Sequence, residues 1–173
     1  MLIPLRASRI CLLSLFSSLS LFICDVAFAA LPPAANNVRM LGELEAAQKS
    51  RALAPDMVQI EVLSVDSSAD SMSKCPEVKT YTVKAKLKSV QRGQLKVGDT
   101  VEISYKTRVY LCPGPQTRNP RPLNPGATYD AYLKCAESRC ELMGGAWSFD
   151  SESDFQSALK SAQAAAERFK QGH

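Results

Sequence analysis

Four segments of this chain alternate apolar and polar residues with a period of two, and that pattern limits the fold more than any other feature. Val58, Ile60 and Val62 share one side of residues 57–65, with Gln59 and Glu61 on the other. Residues 78–90 put Tyr81, Val83, Ala85 and Leu87 on one face and Lys84, Lys86 and Lys88 on the opposite one. Val101, Ile103 and Tyr105 alternate again, as do Tyr129, Ala131, Leu133 and Cys135. Successive side chains of a strand point to opposite faces, so each segment reads as a strand with one buried face. Residues 140–143 and 146–149 complete the expected β content, with Gly144-Gly145 as a bulge or turn between them.

Helical patterns stand at the two ends. Asn36-Asn37 caps a helix over residues 38–52, with Val38, Leu41, Leu44 and Gln48 at helical spacing and Ala54-Pro55 to stop it. A second helix covers residues 153–170. Ser153 and Gln156 form its capping-box pattern, and Phe155, Leu159, Ala162, Ala166 and Phe169 make one apolar stripe to pack on the sheet. Open sheets leave unpaired edges and closure removes them. Five or six short strands with a helix at each end therefore predict a mainly β fold, a small closed OB-type barrel. An immunoglobulin-like sandwich fits less well, because it needs about seven strands.

Residues 1–30 stand apart from that core. Arg6 and Arg9 precede an apolar run from Ile10 to Ile23, and Val26-Ala27-Phe28-Ala29-Ala30 offers a small-x-small cleavage site. This is the layout of a secretory signal. A membrane span needs about 20 apolar residues, more than this run has. A lipobox around Cys24 is disfavoured by Ile23, where a small residue is normal. The expected organisation is a signal over 1–29, an extension with a helix over 30–56, the barrel over 57–150 and a packed helix over 151–173. Cleavage after Ala29 leaves about 144 residues, enough for one self-sufficient core. The expected location is secreted or periplasmic, with no stable membrane anchor after cleavage.

Of six cysteines, Cys11 and Cys24 leave with the signal, and Cys75, Cys112, Cys135 and Cys140 remain. An even number in an exported chain predicts two disulfides. A four-thiolate zinc site is the rival, but it favours C-x2-C pairs that are absent here. Cys135–Cys140 with Cys75–Cys112 is the favoured pairing among three connectivities. The shorter bridge is worth roughly 2 kcal/mol in the loop-entropy account.

Signs of catalysis are few. The single histidine, His173, ends the chain, so serine and cysteine nucleophiles lack an imidazole base. No phosphate loop, nucleophile elbow or H-E-x-x-H helix occurs in the sequence. Asp150-x-Glu152-x-Asp154 superficially resembles a calcium loop, but Phe155 stands where that loop needs glycine. Acids at a helix N-terminus explain it better. No enzyme activity and no cofactor or metal are expected, and an enzyme of unrecognised type ranks third among the functional readings.

Charge is uneven. Residues 74–121 hold eleven Lys and Arg against Glu77, Asp99 and Glu102. The Lys84, Lys86, Lys88 ladder suits an acidic protein, an anionic glycan or an envelope surface; a solvated outer face whose lysines guard against edge aggregation is the preferred reading of it. Nucleic acid is a poor partner, because no stacking aromatics interleave the ladder. Residues 111–126 form a long irregular stretch with five prolines, excluded from any central strand. Such a stretch is either functional or tethered, and Cys112 supplies a tether. Tyr110, Arg118 and Arg121 join the three lysines as candidate binding residues.

Several runs resemble netrin-like (NTR) domains, the family that includes the tissue inhibitors of metalloproteinases. They are Val83-Lys84-Ala85-Lys86-Leu87-Lys88-Ser89-Val90, the turn Gly93-x-Leu95-x-x-Gly98-Asp99-x-Val101-x-Ile103, and Pro122-Leu123-x-Pro125-Gly126-x-x-Tyr129-x-Ala131-Tyr132-Leu133. Gly144-Gly145-Ala146-Trp147-Ser148-Phe149 and the helix after it also fit, so the resemblance spans roughly residues 57–170. It implies a disulfide-bearing OB barrel flanked by helices and used to bind other proteins. The metalloproteinase inhibitors chelate zinc through an N-terminal cysteine. The expected new terminus here is Ala30 or Leu31, so that activity is not carried over. The leading expectation is a non-catalytic module that binds an extracytoplasmic protein; the alternative is a basic surface for an anionic glycan or the cell envelope.

Overall fold

Alternation becomes a closed barrel in the computed structural model, which describes residues 33–69, 76–109 and 118–171, with backbone alone over 33–37. These belong to one compact unit, Leu31–His173; a second unit, Met1–Ala30, lies outside the described residues together with the expected signal. Helix α1 (Pro33–Leu53) leads into β1 (Asp56–Ala69), β2 (Glu77–Arg92), β3 (Thr100–Val109), β4 (Thr128–Ala136) and β5 (Arg139–Leu142). A single 3-10 turn, Gly145–Trp147, then precedes α2 (Glu152–Gln171).

The strands close in the order β1-β2-β3-β5-β4, with β4 pairing back onto β1. Every pairing is antiparallel except β3 with β5. This is the expected OB-type barrel between two helices. The 14-residue β1 and 16-residue β2 are long enough to serve two sides of it. Their register shifts at Met57/Val58, Gln59/Ile60 and Val62/Ser64. Each irregularity bends and coils the strand, which lets so few strands close. Leu63 falls at the last of these and points to solvent.

Barrel filling follows the period-two pattern. Val58, Ile60, Val62, Val83, Ala85, Leu87, Val101, Ile103, Tyr105, Ala131 and Leu133 are buried in one cluster with Leu123, Cys140 and Phe149. In β4, Tyr132 is buried as well, although it lies on the opposite face from Ala131 and Leu133. Arg51 of α1 and Glu152 of α2 cover that outer side at Tyr132, so the simple alternation of β4 is lost there, while Lys134 and Ala136 on the same face stay exposed.

Four local expectations need correction. Residues 146–149 do not form a strand: Gly144 at φ 102° opens the 3-10 turn, and Ser148 Oγ donates to the Met143 and Gly145 carbonyls. The cap of α2 is Ser151, not Ser153: the Asp154 N–H donates to Ser151 Oγ at 3.1 Å. The α2 stripe of Phe155, Leu159 and Ala162 packs against Leu44, Ala47 and Trp147, a helical layer, instead of lying directly on the sheet. In α1 the buried positions are Leu44, Ala47 and Arg51, while Val38 and Gln48 are exposed.

Candidate binding site

The lysine ladder stands where the strand period predicts. Lys84, Lys86 and Lys88 all point outward from β2. Register pairing, however, sets Lys84 opposite Glu102 on β3 and Lys86 opposite Glu61 on β1. Lys88 Nζ donates to Glu61 Oε2 at 3.1 Å. The face is a mixed-charge ladder, and cross-strand pairs of opposite sign support a sheet by a few tenths of a kcal/mol, about 0.2–1 each.

Arg118 and Arg121 form a separate group. Both turn to Asp150, at 2.9 and 3.4 Å, whose carboxylate is only 3% exposed. The Arg118 guanidinium also lies 3.5 Å from the Trp147 ring centroid. Between them, Asn119 uses its side-chain amide as a strand would use its backbone: Oδ1 accepts the Arg108 N–H at 3.0 Å, and Nδ2 donates to the Arg108 carbonyl at 2.7 Å. Leu123 then enters the barrel core. Residues 118–123, without helix or strand, are thus fastened at successive points. Tyr110, Cys75 and Cys112 lie outside the described residues, as does the expected Cys75–Cys112 bridge. The Cys135–Cys140 disulfide is present and spans the β4–β5 hairpin.

Arg51 is the residue that sequence reasoning missed. Its side chain, 3% exposed, lies between the rings of Tyr132 and Phe155, with the guanidinium carbon 3.9 and 4.2 Å from their centroids. It donates to the Trp147 carbonyl at 3.4 Å, the Asp150 carbonyl at 3.3 Å and Glu152 Oε2 at 3.0 Å. Among the described residues its Nε has no partner. A Cβ at Gly144 would stand 2.7 Å from Arg51 Cγ, so glycine is needed there for space as well as for φ. Three elements meet on this one cation: α1, β4 and the start of α2. A clue was present, since Leu44, Ala47, Arg51 and Ala54 keep helical spacing, but an arginine on an apolar stripe reads as an interruption.

Glu152 also accepts from the Tyr132 hydroxyl at 3.0 Å and from the Gln156 amide at 2.8 Å. The Gln156 hydrogen bond, then those of Tyr132 and the Arg51 charge, hold its carboxyl below the usual carboxylate range against an opposing effect of burial. Tyr132 is pushed up by burial, with Arg51 opposing. Burial, with Tyr81 and Tyr129 beside it, pushes Tyr105 up to about 12.

A cleft of about 790 Å³ opens at the barrel end where β1 begins. Its walls come from the end of β2, with Arg92, from the β2–β3 connection, with Leu95 and Lys96, and from the β4–β5 hairpin, with Cys135 and Glu137. Asp56, at 6% exposure, is the most buried charge in it. Among the described residues no group of three or more His, Cys, Asp or Glu is placed to hold a metal ion, and no helix is long and apolar enough to cross a membrane.

Compared with known proteins, the chain matches no family model and no curated protein.

Proposed function

We propose that this protein is an exported, disulfide-stabilised binding module of netrin-like type, which docks another extracytoplasmic protein and carries out no reaction of its own. The observation that carries this reading is the anchoring of residues 118–123. A segment without regular backbone pairing is held by the Asn119 amide on Arg108, by two guanidinium groups on Asp150 and by Leu123 in the core. A surface ordered before contact loses little freedom on docking, so more of its contact energy is expressed as affinity. Long irregular stretches in compact domains are commonly functional. The secretory pattern of residues 1–29 and the Cys135–Cys140 disulfide support an oxidising destination.

The test is a quantitative pull-down from the extracytoplasmic proteome, using the oxidised protein beside a form with residues 113–122 replaced by a Gly/Ser linker. A specific partner should be recovered with the first and lost with the second, while the second still unfolds in one cooperative transition. Equal recovery by both forms removes this segment as the docking surface.

A further inference from the structure

The cleft at the start of β1 is not used by the docking surface above, and its floor carries an unbalanced charge. Asp56 opens β1 and is buried, yet it forms no ion pair among the described residues. The Cys135 N–H donates to its Oδ2 at 3.2 Å, while Oδ1 accepts no hydrogen bond from any described residue. Oδ1 is not sealed from solvent and opens onto the cleft, where a ligand can meet its charge. The cations nearby are turned elsewhere or lie on the rim: Arg92 donates to the Arg51 carbonyl at 3.0 Å, and Lys96 is exposed.

The surroundings hold the carboxylate in place. Gly93, at φ 120°, passes so close that a Cβ there would run into the Asp56 side chain. On the other wall, Cys135 is bonded to Cys140 across a two-residue turn in which Glu137 takes φ 58°. A non-glycine residue in that region carries strain of about 1 kcal/mol, which the covalent clamp overrides. The cleft is therefore a preformed space bounded by fixed turns, within the size range of small-ligand sites.

We propose that this cleft binds an organic primary ammonium group, with Asp56 as its counter-ion. An ammonium supplies three donors and a full positive charge to the cleft-facing Oδ1, giving a charge-assisted hydrogen bond. On the rim, Asp99 and Glu137 offset Arg92 and Lys96, which leaves the charge of Asp56 as the excess, and Pro55 and Leu95 offer apolar contact to an alkyl stem. An anion meets a carboxylate floor. A divalent metal needs several converging oxygen ligands, and the carboxylates do not converge. A primary ammonium of this kind is carried either by a free alkylamine or by a lysine side chain of a peptide.

The experiment titrates cadaverine, and separately N-acetyl-Gly-Lys-Gly-amide, into the oxidised full chain. Amide chemical shifts and calorimetry are the readouts, with pentanoate as the anionic control. At least one amine should produce saturable shifts centred on Gly93, Gln94 and Cys135, and pentanoate should not. Saturation by cadaverine alone assigns the free amine, and saturation by the tripeptide assigns the lysine side chain. Asp56→Asn, which keeps the shape and an acceptor for Cys135, should weaken binding about tenfold or more, as expected for loss of a charge-assisted bond. The wild-type shift map stands as a second measurement should that variant fail to fold. Absence of saturable shifts at those amides with both amines, or undiminished affinity in a folded Asp56→Asn protein, overturns the proposal.

Discussion

Arg51→Ala is the substitution that most directly probes how the helices are held to the barrel. The guanidinium stacks between Tyr132 and Phe155, and each such contact is taken at about 1 kcal/mol, the low end of the cation–π range. Its removal leaves the Trp147 and Asp150 carbonyls without this donor, costing roughly 1 kcal/mol apiece at their long distances. The bond to Glu152 adds less than about 1 kcal/mol, because that carboxylate is 56% exposed. Against this, removing a buried cation with an unpartnered Nε returns roughly 1 kcal/mol. The net expectation is a loss of about 3 kcal/mol, near the lower end for breaking a buried pair. Urea unfolding followed by fluorescence of Trp147, the single tryptophan, reads the helical layer directly, since that ring lies edge-on to Phe155. The corresponding fall in Tm is about 6–12 °C for a chain of this size. Arg51→Lys should recover only part of the loss, because a point charge cannot serve three acceptors and two rings together. A loss below about 1 kcal/mol for Arg51→Ala would refute the argument that this cation joins the three elements.

Three further outcomes are expected. Asp150→Asn removes the charge that both Arg118 and Arg121 meet, so it should cost about 2 kcal/mol and raise amide exchange selectively over residues 118–123; unchanged exchange there would mean the arginines do not hold the segment. Glu152 has its carboxyl held low in the folded protein, so the unfolded chain binds the proton more readily. Its stabilisation is present above the unfolded carboxyl's ordinary range and is lost as pH falls through the lower folded value. Glu152→Gln should flatten the acid limb of a stability-against-pH curve, and an unaltered limb would contradict the assignment. Replacing both Cys135 and Cys140 with serine should lower stability by about 2 kcal/mol, measured by denaturant unfolding under oxidising conditions, and equal midpoints would show that the hairpin needs no clamp.

The barrel was legible because strand periodicity is a local property. Val83, Ala85 and Leu87 face inward and Lys84, Lys86 and Lys88 outward for the same geometric reason, and no long-range information is needed to see it. The hairpin disulfide was legible from close spacing and an even cysteine number. Tyr132 was not, because its burial comes from a layer placed over the outer face of β4. Residues 146–149 were misjudged for a related reason. Their apolar content reflects the burial of Trp147 and Phe149 in two different clusters, which no local period encodes. Ser151 is the cap instead of Ser153 because α2 begins at Glu152, which puts the Ser151 hydroxyl where it accepts the Asp154 N–H.

The candidate sites divide along the same line. A lysine on every second residue states its own direction, but not that Glu61 and Glu102 stand across from it; strand register decides that. Arg118, Arg121 and Asp150 are about thirty residues apart in sequence, and only the fold brings them together. Asp56 looks like any acid before a strand until Gly93 and Cys135 close around it. The set of strands, their buried faces and the kind of closed sheet they can form are written locally, since these follow from backbone geometry and short-range pattern. Which charges are paired, which are buried and where a cleft remains emerge once the strands and helices are brought together. Electrostatic and packing partners are chosen through space, between residues whose separation along the chain carries no information about their distance.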